Sequence, residues 1–149
     1  MSLPTTIADL VVATINASGL GVAERWYVPV FDPMKSNGLV QISVVPRAVG
    51  GESLTRKSDD YTVSVDLAVQ KKMPNEVATN AQVKAFADPL MFLMESLVDL
   101  FRGQPLGSPP YAQCTGFEHP YPYDPGHLDE NRVFTSIATL HFKVDRRRP

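Results

Sequence analysis

The chain has 149 residues, of which 44% are hydrophobic and 20% are charged, as in an ordinary one-domain globular protein. A chain of this length can bury a sizeable core without disulfides or a metal ion, and its formal net charge of −2 excludes a protein that binds nucleic acid through overall positive charge. The unusual feature is proline: there are 13 prolines against 9 glycines, and six of the prolines lie within residues 105–125.

Targeting signals are not evident in the sequence. Cys114 is the single cysteine, so no intrachain disulfide can form, which is typical of folding in a reducing compartment. Residues 1–6 lack the basic and apolar regions of a signal peptide, and the apolar stretch 90–100 is too short and too charged to cross a bilayer. We therefore expect a soluble protein that is made in the cytoplasm, with no membrane partner and no cofactor.

The first predicted element is a helix. It should end at Ser18-Gly19, because glycine readily adopts the left-handed conformation that follows many helices. Thr5 or Thr6 is its expected N-cap. Its apolar residues recur at helical spacing, at Ile7, Leu10, Val11 and Ile15.

Three strands are predicted next, over residues 25–31, 39–45 and 61–70. The first contains Pro29, which cannot donate a hydrogen bond to a sheet, so we expect an edge or a bulge there. The third alternates most strictly, with five apolar residues on one face and mostly polar residues on the other.

Residues 47–60, between the second and third strands, carry six charged side chains around Gly50-Gly51. A connection of 14 residues is long for a hairpin. We predict a projecting charged loop, which is either solvated surface or a docking arm.

The second predicted helix opens with a capping box, Thr79-x-x-Gln82, and stops before Pro105. Pro89 inside it removes one backbone hydrogen bond, so either one kinked helix forms or the main helix begins with Asp88 as its cap. We favour one kinked helix. Its apolar residues repeat at helical spacing, at Val83, Phe86, Ala87, Leu90, Met94, Leu97, Val98 and Phe101.

A proline- and tyrosine-rich connection follows over residues 104–130. We predict a stiff, ordered loop with a short strand over 113–117, because proline and tyrosine together favour rigid extended segments. The last predicted strand spans residues 133–144, with alternate apolar residues facing inward. Residues 145–149 are predicted to be a short basic tail.

Both helices have one apolar side and the strands alternate, so the sequence predicts a single α+β domain over residues 1–149. The expected architecture is an antiparallel or mixed sheet of four to five strands with two helices packed on one face, in the order α-β-β-β-α-(β)-β. The other face of the sheet would meet water or a polar partner surface.

Cys114, His119 and His127 are residue types that bind zinc, and Asp124 and Asp129 lie nearby in the sequence. Their spacing matches no usual zinc site. A half-buried thiol with surface imidazoles is the simpler interpretation, and we expect no metal site.

A second grouping, Asp66, Gln70 and Lys72 with Asp60, shares features with metal-dependent nucleases, in which acids and a lysine flank neighbouring strands. The carboxylates are too few to hold a divalent ion between them. We therefore expect no enzyme activity, and a nuclease is the less favoured alternative.

Three stretches of the chain carry a family resemblance. They are Val44-Val45-Pro46-Arg47, the strand end at residues 66–72 (DLAVQKK), and residues 123–128 (YDPGHL), which precede residues 133–136 (VFTS). The layout and these phrases resemble small proteins from the tail-gene clusters of long-tailed bacteriophages and prophages. Within those clusters the chain is most similar to the tail terminator, or tail-completion, family.

The resemblance implies a structural virion protein of the tail or neck. Tail terminators are α+β subunits that form a ring, usually a hexamer, on the end of the tail tube. The ring ends tube polymerisation and joins the tail to the head. The implied partners are further copies of the chain, the major tail tube protein and a head–tail connector or neck protein, with a passing contact to DNA in the channel. A head-closure or neck adaptor protein is the alternative.

No catalytic or cofactor-binding residue is carried over from the family. A closed ring needs head-to-tail contacts between two different surfaces of the subunit. The interface candidates come from the charged loop, the tyrosines and the basic tail: Arg47, Glu52, Arg56, Lys57, Asp59, Asp60, Tyr121, Tyr123, Arg146, Arg147 and Arg148.

Overall fold

A computed structural model describes residues 2–27, 39–53, 58–102, 105–106 and 112–147. They form two long helices, one π-helical turn and six strands. The elements are α1 (Leu3–Ser18), β1 (Ala23–Arg25), β2 (Gln41–Ser53), β3 (Ser58–Lys72), α2 (Asn80–Phe101), β4 (Pro105–Leu106), β5 (Ala112–Tyr121), the π-helical turn (His127–Asn131) and β6 (Val133–Arg147).

The strands form one mixed sheet in the order β1-β2-β3-β6-β5-β4. β1 runs parallel to β2, and the other neighbouring pairs are antiparallel. The predicted α+β class is confirmed, but the sheet has six strands among the described residues rather than four to five. The additional strand is β4, whose two residues are too few to leave a periodic pattern in the sequence.

One apolar core lies between the helices and one face of the sheet. Val63, Val65 and Leu67 of β3 alternate on that face and are fully buried. Buried residues of both helices belong to the same cluster, among them Ile7 of α1 and Leu97 of α2. Both helices therefore cover the same face of the sheet.

Helix α1 begins and ends on local signals. Ser2 caps it, with its Oγ accepting a hydrogen bond from the backbone N–H of Thr5 at 3.4 Å. The prediction that Thr5 or Thr6 is the cap was wrong, because Pro4 at the helix start places the cap one position before Leu3. Gly19 follows the helix with φ of +80°, as predicted.

Helix α2 is one helix that contains Pro89, so the alternative start at Asp88 is wrong. The capping box is confirmed: the Thr79 hydroxyl accepts from the N–H of Gln82 at 3.2 Å, and the Gln82 side chain accepts from the N–H of Thr79 at 3.0 Å. The predicted inward stripe is buried from Leu90 to Phe101.

The charged segment 47–60 was predicted to be a loop, and this was wrong over most of its length. β2 continues to Ser53 and β3 begins at Ser58, with antiparallel pairing that reaches Asp59. The charged residues and glycines in this segment show no alternation of apolar and polar residues, so the sequence pattern does not indicate a strand there. Residues 54–57 lie outside the described part of the chain.

The same correction applies to the predicted basic tail. β6 continues to Arg147, with Arg146 opposite Asp59 and Arg147 opposite Ser58. The proline-rich connection is also largely strand, since β5 spans ten residues instead of 113–117. Its bulges interrupt the pairing with β6 and accommodate Pro120.

The first predicted strand was wrong in its bounds. β1 covers only Ala23–Arg25, and residues 28–31 lie outside the described part. β1 begins earlier because it pairs in parallel with Ile42 to Val44 of β2.

Candidate functional site

A groove of about 600 Å³ lies between α2 and β5. Its apolar lining includes Met91 and Val98 from α2 and Phe117 from β5. Two aromatic side chains are exposed there, Phe92 at 70% and Phe117 at 44%. Large aromatic residues that are exposed beside a concave apolar surface are typical of a contact site for another molecule.

The helix wall of this groove is acidic. Asp88, Glu95 and Asp99 recur at helical spacing along it. Arg102 lies at one end, with Nη1 3.3 Å from Asp99 Oδ1 and its guanidinium 5.6 Å from the centre of the Phe117 ring. Within the described part of the chain, neither Asp88 nor Glu95 makes an ion pair. The groove thus combines an apolar surface with uncompensated negative charge.

His119 belongs to the opposite wall and adds no charge near neutral pH. Its Nε2 lies 3.1 Å from Ser136 Oγ. Burial lowers the pKa of His119, because desolvation disfavours the imidazolium ion. Earlier on β5 and outside this groove, burial raises the pKa of the Cys114 thiol, whose Sγ donates to the Gly116 carbonyl at 3.5 Å.

A second set of exposed apolar side chains lies in the segments that flank β1 and precede β2, on the side of the sheet away from β5. Val22, Tyr27 and Leu39 are exposed at 79%, 73% and 70%. The Arg25 side chain of β1 contacts both α1 and Tyr27: its Nε lies 2.8 Å from Asp9 Oδ1, and its guanidinium lies 5.5 Å from the centre of the Tyr27 ring. One subunit therefore carries apolar surface at both edges of its sheet.

The face of the sheet opposite the helices is polar, and Arg47 reaches onto it. The β2–β3 register shifts between Pro46 and Ala48, which leaves Arg47 as the extra residue of a bulge. Its Nη1 donates to Thr139 Oγ1 at 3.0 Å and lies 3.5 Å from Asp66 Oδ1. Thr139 in turn donates to Asp66 at 2.7 Å. The bulge thus directs a predicted interface residue onto the polar face.

Three polar residues that are far apart in the sequence meet on this face. Ser64 Oγ lies 2.9 Å from His141 Nδ1, and His141 Nε2 lies 3.7 Å from Glu118 Oε1. A hydrolytic triad also joins serine, histidine and an acid, but it works beside preorganised oxyanion donors in a site closed to water. Here the Glu118 side chain is 68% exposed. Ser64 and His141 are direct partners in the β3–β6 register, so we interpret the group as cross-strand polar pairing.

The described side chains among those considered for a nuclease or a zinc site form no common site, and the side chains of Asp60 and His127 lie outside the described part of the structure. Asp66 and Gln70 share the polar face, but Asp66 is held by the Arg47 network. Gln70 is buried and donates to Thr135 Oγ1 at 3.3 Å. Across the part of the chain that the structure describes, no group of three His, Cys, Asp or Glu side chains could hold a metal ion.

Several predicted interface residues lie together at the far end of the β2–β3–β6 ladder. The backbone pairing places Glu52 opposite Asp60, and Asp59 opposite Arg146, with Arg147 at the next position. The pairing therefore brings acidic and basic residues of the predicted loop and tail to one end of the sheet.

The tyrosines lie elsewhere. Tyr121 ends β5 opposite Ile137, and Tyr123 is 47% exposed. The remaining candidates lie outside the described residues: Arg56, Lys57 and Arg148.

The sequence prediction did not include Phe92, Glu95 or Phe117. A signal existed for Phe92, which is a large apolar residue outside the helical stripe that contains Leu90 and Met94. Phe117 gave no such signal, because the short strand predicted over residues 113–117 has too little alternation to indicate which side chains face solvent.

No family model matches this chain, and no curated protein sequence matches it. None of the helices in the described ranges is long and apolar enough to span a membrane.

Proposed function

We propose that this protein is a ring-forming virion subunit of the tail terminator type, which caps the tail tube, ends its polymerisation and joins the tail to the head or neck. The observation that supports a ring is the exposed apolar surface at two different edges of one sheet. One surface is the α2–β5 groove, with Phe92 and Phe117. The other is the β1 edge, with Val22, Tyr27 and Leu39.

Two unlike surfaces favour a head-to-tail contact over a two-fold dimer. In a two-fold dimer the same patch meets itself, whereas a head-to-tail contact joins different patches and closes into a ring when the rotation permits. The groove is concave and acidic, so it is poorly suited to meet a second copy of itself, because like charges would face one another.

The assignment to the tail, as opposed to another ring, rests on the resemblance at residues 44–47, 66–72 and 123–128. The proposed partners are further copies of the chain, the major tail tube protein and a head–tail connector or neck protein, with a passing contact to DNA in the channel. The proposed location is the virion. A head-closure or neck adaptor would also be a ring, but it would sit on the other side of the joint.

Removal of the gene from the phage or prophage that carries it separates these two roles. Loss of a tail terminator should leave overlong or unjoined tails beside filled heads. Heads that have leaked their DNA, beside tails of normal length, would instead assign the protein to head closure and contradict the terminator proposal.

The ring itself is tested with a surface variant. Phe92→Lys removes the exposed aromatic ring and adds a charge to any contact through the groove, so it should abolish the oligomer while the melting temperature stays within a few degrees of wild type. Glu76→Lys, which also makes an exposed position basic but lies outside the groove, is the control and should leave the oligomer intact. An oligomer that forms equally well with Phe92→Lys would exclude the groove from the ring contact.

A further inference from the structure

We propose that the α2–β5 groove binds arginine side chains from the basic run at residues 146–148, which begins at the end of β6, of a neighbouring copy of the chain. This inference rests on the proposed ring and names the surface of the neighbouring copy that the groove meets in it, which is this basic run in place of the β1 edge. It does not depend on whether the ring caps a tail tube or closes a head.

The groove already holds one guanidinium of its own chain. Arg102 lies between the Asp99 carboxylate, 3.3 Å away, and the face of Phe117, 5.6 Å from the ring centre. A carboxylate on one side and an aromatic face on the other is a favourable setting for arginine, because the ion pair and the cation–π contact act on different parts of the planar group.

An exposed aromatic ring and two further carboxylates also lie one to three helical turns before Asp99 on α2. Phe92 is 70% exposed, with Asp88 four residues before it and Glu95 three residues after it, so the three side chains share one face of the helix. All three line the groove. Neither carboxylate makes an ion pair within the described ranges of the chain. A guanidinium from outside the subunit would complete the arrangement that Arg102 completes at the other end.

The chain itself supplies the matching charge. Arg146, Arg147 and Arg148 are the only three consecutive basic residues in the sequence. β6 carries Arg146 and Arg147 to the end of the sheet, where they lie opposite Asp59 and Ser58. The contact with the groove is therefore one of opposite charge, and it should weaken as salt is added.

The groove and the basic run lie far apart on one subunit. Phe117 of the groove pairs with Leu140 of β6, and Arg147 lies seven residues further along the same strand. At about 3.3 Å per residue the separation is about 23 Å. A contact between the two thus joins different copies of the chain, as a head-to-tail ring requires.

A peptide titration tests the groove without relying on a ring. The probe is a fluorescent peptide of residues 143–149 (KVDRRRP), and the protein is the full chain with Arg146→Glu and Arg147→Glu, so that its own ends do not compete. We expect saturable binding that falls at least about tenfold when Glu95→Lys is added, since one favourable ion pair becomes a repulsion. Glu76→Lys, an equal charge change at an exposed acid outside the groove, should leave the affinity unchanged.

Two further titrations test the aromatic surface of the groove and the charge of the peptide separately. Phe92→Ala, which keeps all charges, should weaken the peptide several-fold through loss of the stacking surface. A peptide with its three arginines replaced by glutamate should not bind. Equal binding to the Glu95→Lys and Glu76→Lys proteins, both confirmed as folded by circular dichroism, would overturn the proposal.

Charge exchange in the oligomer provides the second test. Chains with Asp88→Lys and Glu95→Lys, and chains with Arg146→Glu and Arg147→Glu, should each sediment as smaller species. An equimolar mixture, or one chain carrying all four changes, should recover the oligomer. A monomeric wild type that still binds the peptide through Glu95 would contradict the ring but keep the groove. A ring that none of these changes affects would contradict the groove but keep the ring.

Discussion

The inner face of α2 gives a sharp test of the fold. Leu97 is fully buried, within the cluster that includes Phe101 and Phe142. Leu97→Ala removes three carbon atoms from a packed core and leaves a cavity, which typically costs about 2–5 kcal/mol. For a chain of this size each kcal/mol lowers the melting temperature by roughly 2–4 °C, so we expect a decrease of roughly 4–20 °C.

Thermal unfolding followed by circular dichroism or calorimetry measures this decrease. Leu97→Met, which nearly conserves volume, is the control and should cost less than about 1.5 kcal/mol. Phe92→Ala, at the exposed position on the same helix, should cost about 0.5 kcal/mol or less. If Leu97→Ala and Phe92→Ala melted at the same temperature, the assignment of the inner and outer faces of α2 would be refuted.

Three further predictions concern local signals. Gly19→Ala should cost about 1 kcal/mol, because Gly19 has φ of +80°, while Gly50→Ala, with open space around it, should cost less; chemical denaturation compares them. Thr79→Ala should cost about 0.5–2 kcal/mol in the same assay through loss of the capping box. The folded-state pKa of His119 is lowered, so stability should fall as the pH drops below the unfolded value of about 6.5, and His119→Gln should reduce that dependence in pH-resolved melts.

The elements with strong periodic patterns could be predicted from the sequence. The capping box at Thr79 and the alternation of Val63, Val65 and Leu67 are local patterns, and the structure realises both. The core follows from them, because an apolar stripe and an apolar strand face must be buried against each other.

Strand extensions that carry charged residues instead of apolar alternation could not be predicted. Residues 47–53 and 145–147 carry charges that resemble a loop and a tail, yet the register joins both to β3. Cross-strand hydrogen bonds depend on which strand lies beside the extension, and the amino-acid sequence of the extension does not specify that strand.

The groove was missed for a related reason. It forms where α2 meets β5, and of the residues that line it from that side only Phe117 was predicted in a strand, whereas His119 and Pro122 were predicted in the proline-rich loop. In the sequence, Glu95 is a single charged residue of a predicted helix. The fold places it in the same groove as Phe117. The network at Arg47 depends on the fold in a comparable way, since the bulge beside Pro46 decides which face Arg47 reaches.

The most direct test of the ring is the assembly state of the purified wild-type chain. Sedimentation velocity gives the mass, and negative-stain images give the symmetry, of the chain alone and mixed with the tail tubes that the proposed function names as its partner. The account predicts a closed ring with one repeated head-to-tail contact, seated on the tube end. A strict monomer that never caps tubes, or a two-fold dimer, would contradict it.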